Sequence, residues 1–477
     1  MAKKRHIIGL SLISIFSLIG CNNQGTSSSL GGNNFDDYVE NKYCKTSIKD
    51  INDKTKYVNV GVMKTIQPVR ITEDGHYTTE GVQQVDAFNT NLIFSQYARV
   101  DLKNAQNVMD IESIIGPYTY LTHCLFDRHN YYLDDNYQLL NNLRVLNENY
   151  GKDFITINQE LYNVLNEALD ITKNSNGKFN LFIGELSDFW DEYISQNVYL
   201  PANQTVDPAQ TSEGKLKIKS LVEDTPQAKD LETQNILEFK KENNEYQVKF
   251  NKFRKNDGSF AEKVSISLGG IGKGYLTENI YQKMNKANLT NGNVYAGSSS
   301  IVIMNKHAYG SNWRIQVSNP YSIYSTPVGI VNLNEKYTIS TSGSQVNSYV
   351  TIVDNQYIYR QHIINAETGY PADGFNMITI FSKSLSSTIM DTLSTVLINC
   401  SVDEIESTIK NIKTLYNNCD LDVVLSKINP YIDENTECKV DVYVSKNFDN
   451  GITFEKSTEQ SDGSLYSPYI EYHTLEV

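Results

Sequence analysis

Residues 267–275 read Ser267-Leu268-Gly269-Gly270-Ile271-Gly272-Lys273-Gly274-Tyr275. Four glycines in this short stretch end a strand-like run, 264–268, and open a helical pattern whose apolar face is Leu276, Ile280 and Met284. A glycine-rich turn into a helix lets backbone N–H groups approach a phosphate, with the helix dipole favouring the negative charge, and Lys273 adds a positive charge there. The pattern is neither GxGxxG nor a Walker A loop, because no Lys-Ser/Thr pair closes it. It fits equally a tight turn that needs glycine for positive φ. Outward from this point strands and helices mix without strict βαβ alternation. That predicts an α+β fold with mixed and antiparallel sheets and packed helices, and argues against a doubly wound sheet.

Upstream, Leu161, Val164, Leu165, Ala168 and Leu169 recur at helical spacing, predicting a helix over 159–172 with Asn158 as its cap. Residues 197–262 are polar and charge-rich, with few periodic apolar positions, and read as a surface insertion. Strand-like runs at 58–63 and 91–94 fall in an N-terminal extension, 36–125, that carries no recognisable chemistry. Downstream, 404–416 reads as a helix, 439–444 alternates as a strand, and 451–477 reads as a C-terminal tail.

Two further constellations carry chemistry. In a predicted helix at 390–398, Asp391 and Thr395 lie about 40° apart on one face, while Leu393, Val396, Leu397 and Cys400 point the other way. A carboxylate and a hydroxyl at this spacing are hard oxygen ligands suited to Mg²⁺ or Ca²⁺, though a solvated polar face has the same pattern. His362 follows a predicted strand at 356–360 and leads into Asn365-Ala366-Glu367-Thr368-Gly369-Tyr370-Pro371. It fits a general base, a phosphate ligand or a structural histidine.

At 477 residues the chain is too long for one ordinary core, so two or three units, or one domain with insertions, are expected. A formal charge of −14 argues against a nucleic-acid partner, which needs a basic face. Lys3, Lys4 and Arg5 precede an apolar stretch, 7–19, shorter than the roughly 20 residues a spanning helix needs. Leu18-Ile19-Gly20-Cys21 and the polar, Ser-rich run behind it resemble the lipobox of a bacterial lipoprotein. That implies a signal peptide at 1–21, lipidation of Cys21, a stalk at 22–35, and a place on the outer face of the cytoplasmic membrane. The other cysteines, Cys44, Cys124, Cys400, Cys419 and Cys438, are odd in number and show no CxxC spacing, so no disulfide framework or zinc site is indicated.

The order of the motifs resembles one family, the bacterial FAD:protein FMN transferases of the ApbE type. Its members carry Asp-Leu-Gly-Gly-Ile-Ala-Lys-Gly-Tyr, then Asn-Ala-Gly-Gly-Asp, Trp-Arg-Ile, Thr-Ser-Gly, His-Ile-Ile-Asp-Pro-x-Thr-Gly-x-Pro and Ala-Asp-Ala-Leu-Ser-Thr. Here the matching stretches are 267–275, 294–299, Trp313-Arg314-Ile315, Thr341-Ser342-Gly343, 362–371 and 390–395. Gly177-Lys178-Phe179-Asn180 and 184–190 match two upstream motifs. The resemblance implies a catalytic domain over 126–450 that uses a divalent metal to cleave FAD. FMN passes to a Ser or Thr hydroxyl of an acceptor protein, and AMP is released. It further implies Gly270, Asp391 and Thr395 or Ser394 as metal ligands, Lys178, Phe179, Asn180, Ser267, Lys273 and Ile364 along FAD, and His362 beside the acceptor hydroxyl. Ser267 and Asn365 stand where the family carries Asp, and Ser298-Ser299 where it carries Gly-Asp, whereas the Asp391/Thr395 pair is kept. An FAD pyrophosphatase and a non-catalytic flavin-binding lipoprotein are the rival readings.

Overall fold

The computed structural model describes residues 47–48, 70–71, 77–88, 90–100 and, apart from short breaks, 115–477. The 7–19 segment, Cys21, the stalk, Cys44 and the 58–63 run lie outside the described residues. Ten strands form the main sheet, in the order Arg70–Ile71, Tyr77–Ala87, Thr90–Val100, Gly292–Ala296, Ser300–Ile303, Tyr337–Gly343, Met377–Ser382, Asp422–Asn429, Lys439–Ser445 and Tyr469–Leu475. Every neighbouring pair is antiparallel except the last, which is parallel. With its packed helices, this is the expected α+β architecture with mixed pairing.

The sheet centre is buried on both faces, and the period of two along its strands sorts the side chains. Ile378, Ile380, Val423 and Leu425 pack with Leu393, Val396 and Leu397 of the helix Ser387–Ile398. Phe381, Val424, Val440 and Val442 face the other way, onto Trp313, Ile315 and Val331 of a three-stranded sheet. The helix expected at 159–172 runs Gln159–Asn174, and Asn158 caps it by accepting from Glu160 N. The strand and helix expected near 439–444 and 404–416 are Lys439–Ser445 and Ile405–Leu415. Among the described residues, Cys124, Cys400, Cys419 and Cys438 are buried and none is in a disulfide.

Three stretches differ from expectation. Within the 36–125 extension, the hairpin Tyr77–Ala87/Thr90–Val100 belongs to the main sheet, because its second strand pairs with Gly292–Ala296. The 451–477 tail supplies Ile452–Lys456 to the three-stranded sheet and Tyr469–Leu475 to the main one, with Leu475 buried in the core. Residues 197–262 contribute more than surface. They hold the helix Ser212–Asp224 and the hairpin Leu237–Glu242/Glu245–Phe250, and Ile218, Leu237, Val248 and Phe250 are buried. Their hydrophobic signal is weak because polar residues such as Glu238 and Lys249 alternate with the buried or half-buried Leu237, Phe239, Val248 and Phe250. Asn243 and Asn244, both at positive φ, make the turn.

If the C-terminal strand is part of the core, Leu475→Ala should cost about 2–4 kcal/mol in urea unfolding. A silent Leu475→Ala would mean that the segment is a dispensable tail.

Candidate functional site

The run 264–268 is extended but pairs only through an isolated parallel bridge between Ser265 and Ile183, with Ser267 N donating to Leu181 O. The strand expected here is therefore one bridge long. Behind it the helix begins at Gly272, and Gly272 N donates to Leu268 O at 2.8 Å. None of Gly269, Gly270, Gly272 and Gly274 has positive φ, so turn strain does not account for this glycine cluster. Close approach accounts for part of it. A Cβ on Gly274 would stand 2.3 Å from Ser387 O and 2.5 Å from Asp391 Cβ. A Cβ on Gly270 would meet Thr395 Oγ1 at 3.0 Å and the Phe179 ring at 3.2 Å. Gly269, by contrast, has only Ser267 Oγ nearby, at 3.5 Å.

The glycine turn is therefore the surface on which the helix Ser387–Ile398 lies. Ser386 caps that helix by accepting from Ile389 N. Asp391 Oδ2 accepts the Gly274 N–H at 2.9 Å, and among the described residues no protein donor reaches Oδ1. The structure thus brings Gly270, Asp391 and Thr395 to one place. The helix is not half-solvated, however: Asp391 is buried together with Leu393 and Val396. Ser394 turns toward the strand Tyr337–Gly343, where its hydroxyl lies 3.1 Å from Ser340 Oγ and 2.7 Å from Ser342 Oγ, and it donates to Asp391 O. This hydroxyl cluster joins a strand and a helix about fifty residues apart, and no periodic signal in the sequence links them.

The residues expected along FAD divide. Phe179 lies against Gly270. Asn180 spends both polar atoms on the protein: Nδ2 donates to Pro226 O, and Oδ1 accepts from Phe182 N. Lys178 reaches Asn399 O at 3.3 Å and Glu404, neutralising the C-terminal end of the Ser387–Ile398 helix. Ser267 Oγ accepts weakly from Gly269 N at 3.4 Å. Ile364 is buried among Leu186, Trp190, Ile218 and Leu221. Asn365 Oδ1 accepts from Glu367 N and Thr368 N, a turn-forming task that an amide oxygen performs as well as a carboxylate. Ser298 lies outside the described residues.

His362 follows the strand Gln356–Gln361, and its amide donates to Asn347 O at 3.2 Å. Its ring Nδ1 is buried without a hydrogen-bond partner. Burial, reinforced by the nearby Lys273 ammonium, pushes its pKa down to about 4. At neutral pH the ring is thus uncharged and able to accept a proton. The Lys273 charge, at the start of the helix behind the glycine turn, thus acts electrostatically on the His362 ring. Elsewhere, Asp441, Glu471 and His473 cluster, but Lys439 already bridges the two carboxylates.

Two outcomes follow from this geometry. Gly274→Ala should cost about 3 kcal/mol, because backbone must move to admit the methyl, whereas Gly269→Ala should stay within about 1 kcal/mol of wild type in chemical unfolding. In an NMR titration the His362 ring should protonate near pH 4, well below the ordinary value of about 6.5. Lys273→Met should raise that value only part-way, because burial is the larger cause.

The chain matches the ApbE family over residues 126–419. No curated protein matches it. Among solved structures, the ApbE protein of Thermotoga maritima superposes with a TM-score of 0.51 at 18% identity, covering 73% of this chain and 94% of its own. The flavin transferase ApbE of Vibrio cholerae gives 0.51 at 15% identity, covering 80% and 98%. The apo flavinyl transferase ApbE of Pseudomonas stutzeri gives 0.51 at 13%, covering 78% and 97%. At these identities the likeness establishes the fold, and the family match spans more than half of the sequence. The chain belongs to the ApbE family.

Proposed function

We propose that this protein is a divalent-metal-dependent FAD:protein FMN transferase, held by a lipid on Cys21 at the outer face of the cytoplasmic membrane. It cleaves FAD and attaches FMN to a Ser or Thr hydroxyl of an extracytoplasmic acceptor, releasing AMP. The observation that carries the reading is the convergence of Asp391 and Thr395 on the glycine turn at Gly274 and Gly270. The names of the solved Vibrio and Pseudomonas flavin transferases agree with it.

The residues present fit a hard cation. Asp391 keeps Oδ1 clear of protein donors, the Thr395 hydroxyl lies beside Gly270, and all the donors there are oxygens, as Mg²⁺ or Ca²⁺ prefers. Gly270 (through its carbonyl), Asp391 and Thr395 would hold the ion, and the bonds that Ser394 makes to Ser340 and Ser342 leave it the lesser candidate. When bound, the ion neutralises pyrophosphate charge.

The chain's own residues supply the rest. Lys273, at the first turn of its helix, adds positive charge where the FAD phosphates would lie. Phe179 offers an apolar wall beside Gly270. His362, neutral at pH 7, takes the proton of the acceptor hydroxyl as that oxygen bonds to the phosphorus of the FMN half. The bond from that phosphorus to the bridging oxygen breaks, and AMP leaves with the oxygen.

The test incubates the protein with FAD, Mg²⁺ and an acceptor bearing a Ser/Thr flavinylation site, following AMP and acceptor mass together. AMP with a covalent FMN adduct supports the transferase, AMP with free FMN supports a pyrophosphatase, and bound FAD without AMP supports a binding protein. In the first case Asp391→Ala should lower turnover at least a hundredfold, on the scale of ~10²–10³ for losing one group that stabilises transition-state charge.

A further inference from the structure

We propose that Asp207, inside the 197–262 stretch, is a positioning residue for His362, acting through Arg360 and Trp190; the assignment rests on the transfer reading above. Arg360 lies two residues before His362 and pairs across the hairpin with Tyr349. The Asp207 side chain is wholly buried, and its Oδ2 accepts from Arg360 Nε at 3.1 Å and Nη2 at 2.9 Å. Oδ1 accepts from Ala209 N and, more distantly, from Tyr349 OH. One carboxylate thus holds both members of a cross-strand pair at the root of the His362 loop.

The same guanidinium lies 5.7 Å from the centroid of the Trp190 ring. Trp190 is fully buried, and its indole N–H donates to Gly369 O at 2.8 Å, at the far end of the loop. Gly369 has φ +77, and a Cβ there would meet Val222 and Ile218 of the helix Ser212–Asp224. Between the two ends, Gln227 Nε2 donates to Ala366 O. The loop is therefore pinned at its start, middle and end by residues drawn from 190–227.

His362 needs such a frame. Its buried ring Nδ1 has no hydrogen-bond partner among the described residues, so no hydrogen bond at that atom sets the direction of the imidazole. The backbone anchors on either side must do so. Breaking a buried ion pair by removing one partner's charge leaves the other uncompensated, so the anchor fails as a unit.

The test compares wild type, Asp207→Asn and Trp190→Phe, each as the full chain with FAD and Mg²⁺. Amide hydrogen exchange of the 360–371 peptide should rise about tenfold in both variants, with 376–398 unchanged. The kcat for AMP release should fall about ten- to a hundredfold, with KM for FAD held within about twofold. In a His362→Ala background, Asp207→Asn should cost nothing further. Unchanged loop exchange, faster exchange with normal kcat, or effects of Asp207→Asn and His362→Ala that simply multiply would each overturn the assignment. If Asp207→Asn does not fold, Trp190→Phe carries the same comparison. If wild type releases no AMP, the transfer reading has failed, and the exchange arm still decides whether Asp207 holds the loop.

Discussion

The amide of Gly274 donates to the carboxylate of Asp391 at 2.9 Å, across two helices packed so closely that no Cβ fits between them. This contact ties the start of the helix Gly272–Lys286 to the first turns of Ser387–Ile398. The second helix in turn lies on Met377–Ser382 and its neighbours at the centre of the main sheet. A buried carboxylate is costly unless it is hydrogen-bonded, and a helix's first N–H groups lack partners of their own. Each group thus answers the other's need. The glycine turn is held against Thr395 and Phe179 by the same packing. Loosening this contact would move the glycine turn and the candidate metal ligands together.

A second constraint acts on the histidine side. His362 follows a two-stranded hairpin that is not part of the main sheet, so sheet geometry alone does not direct it. The chain on either side of it is held by Trp190 on the helix Gly184–Asn197 and by Asp207, Val222 and Gln227 in the segment beyond. The two halves of the site rest on different supports: the glycine and aspartate helices on the sheet, and the histidine loop on the 190–227 region. Lys273 is where they meet electrically, because its charge is felt at the His362 ring.

Much of this was legible from local pattern. The helix Gln159–Asn174 follows from 3.6-residue periodicity and an Asn cap, and the strand Lys439–Ser445 from alternation. Asp391 and Thr395 on one face follow from helical spacing alone. Signals failed where burial came from partners distant in sequence. Tyr469–Leu475 reads as a tail because its alternation is filled by Tyr, Glu and His. Its place is decided by backbone pairing with Lys439–Ser445, which demands no particular side chains.

The sequence by itself determined the α+β class and elements such as Gln159–Asn174 and Lys439–Ser445, and it singled out the candidate reactive groups, because periodicity and short motifs are local properties of the chain. Tertiary structure alone decided why Gly274 must be glycine, since the reason is a neighbouring helix more than one hundred residues away. It also decided that Ser394 faces Ser340 and Ser342 while Thr395 faces Gly270, a difference of 100° on one helix that only packing can resolve into roles. The Asp207–Arg360 pair belongs to the same class. Two opposite charges 153 residues apart carry no mutual signal until the fold removes both from water and leaves each as the other's solvation.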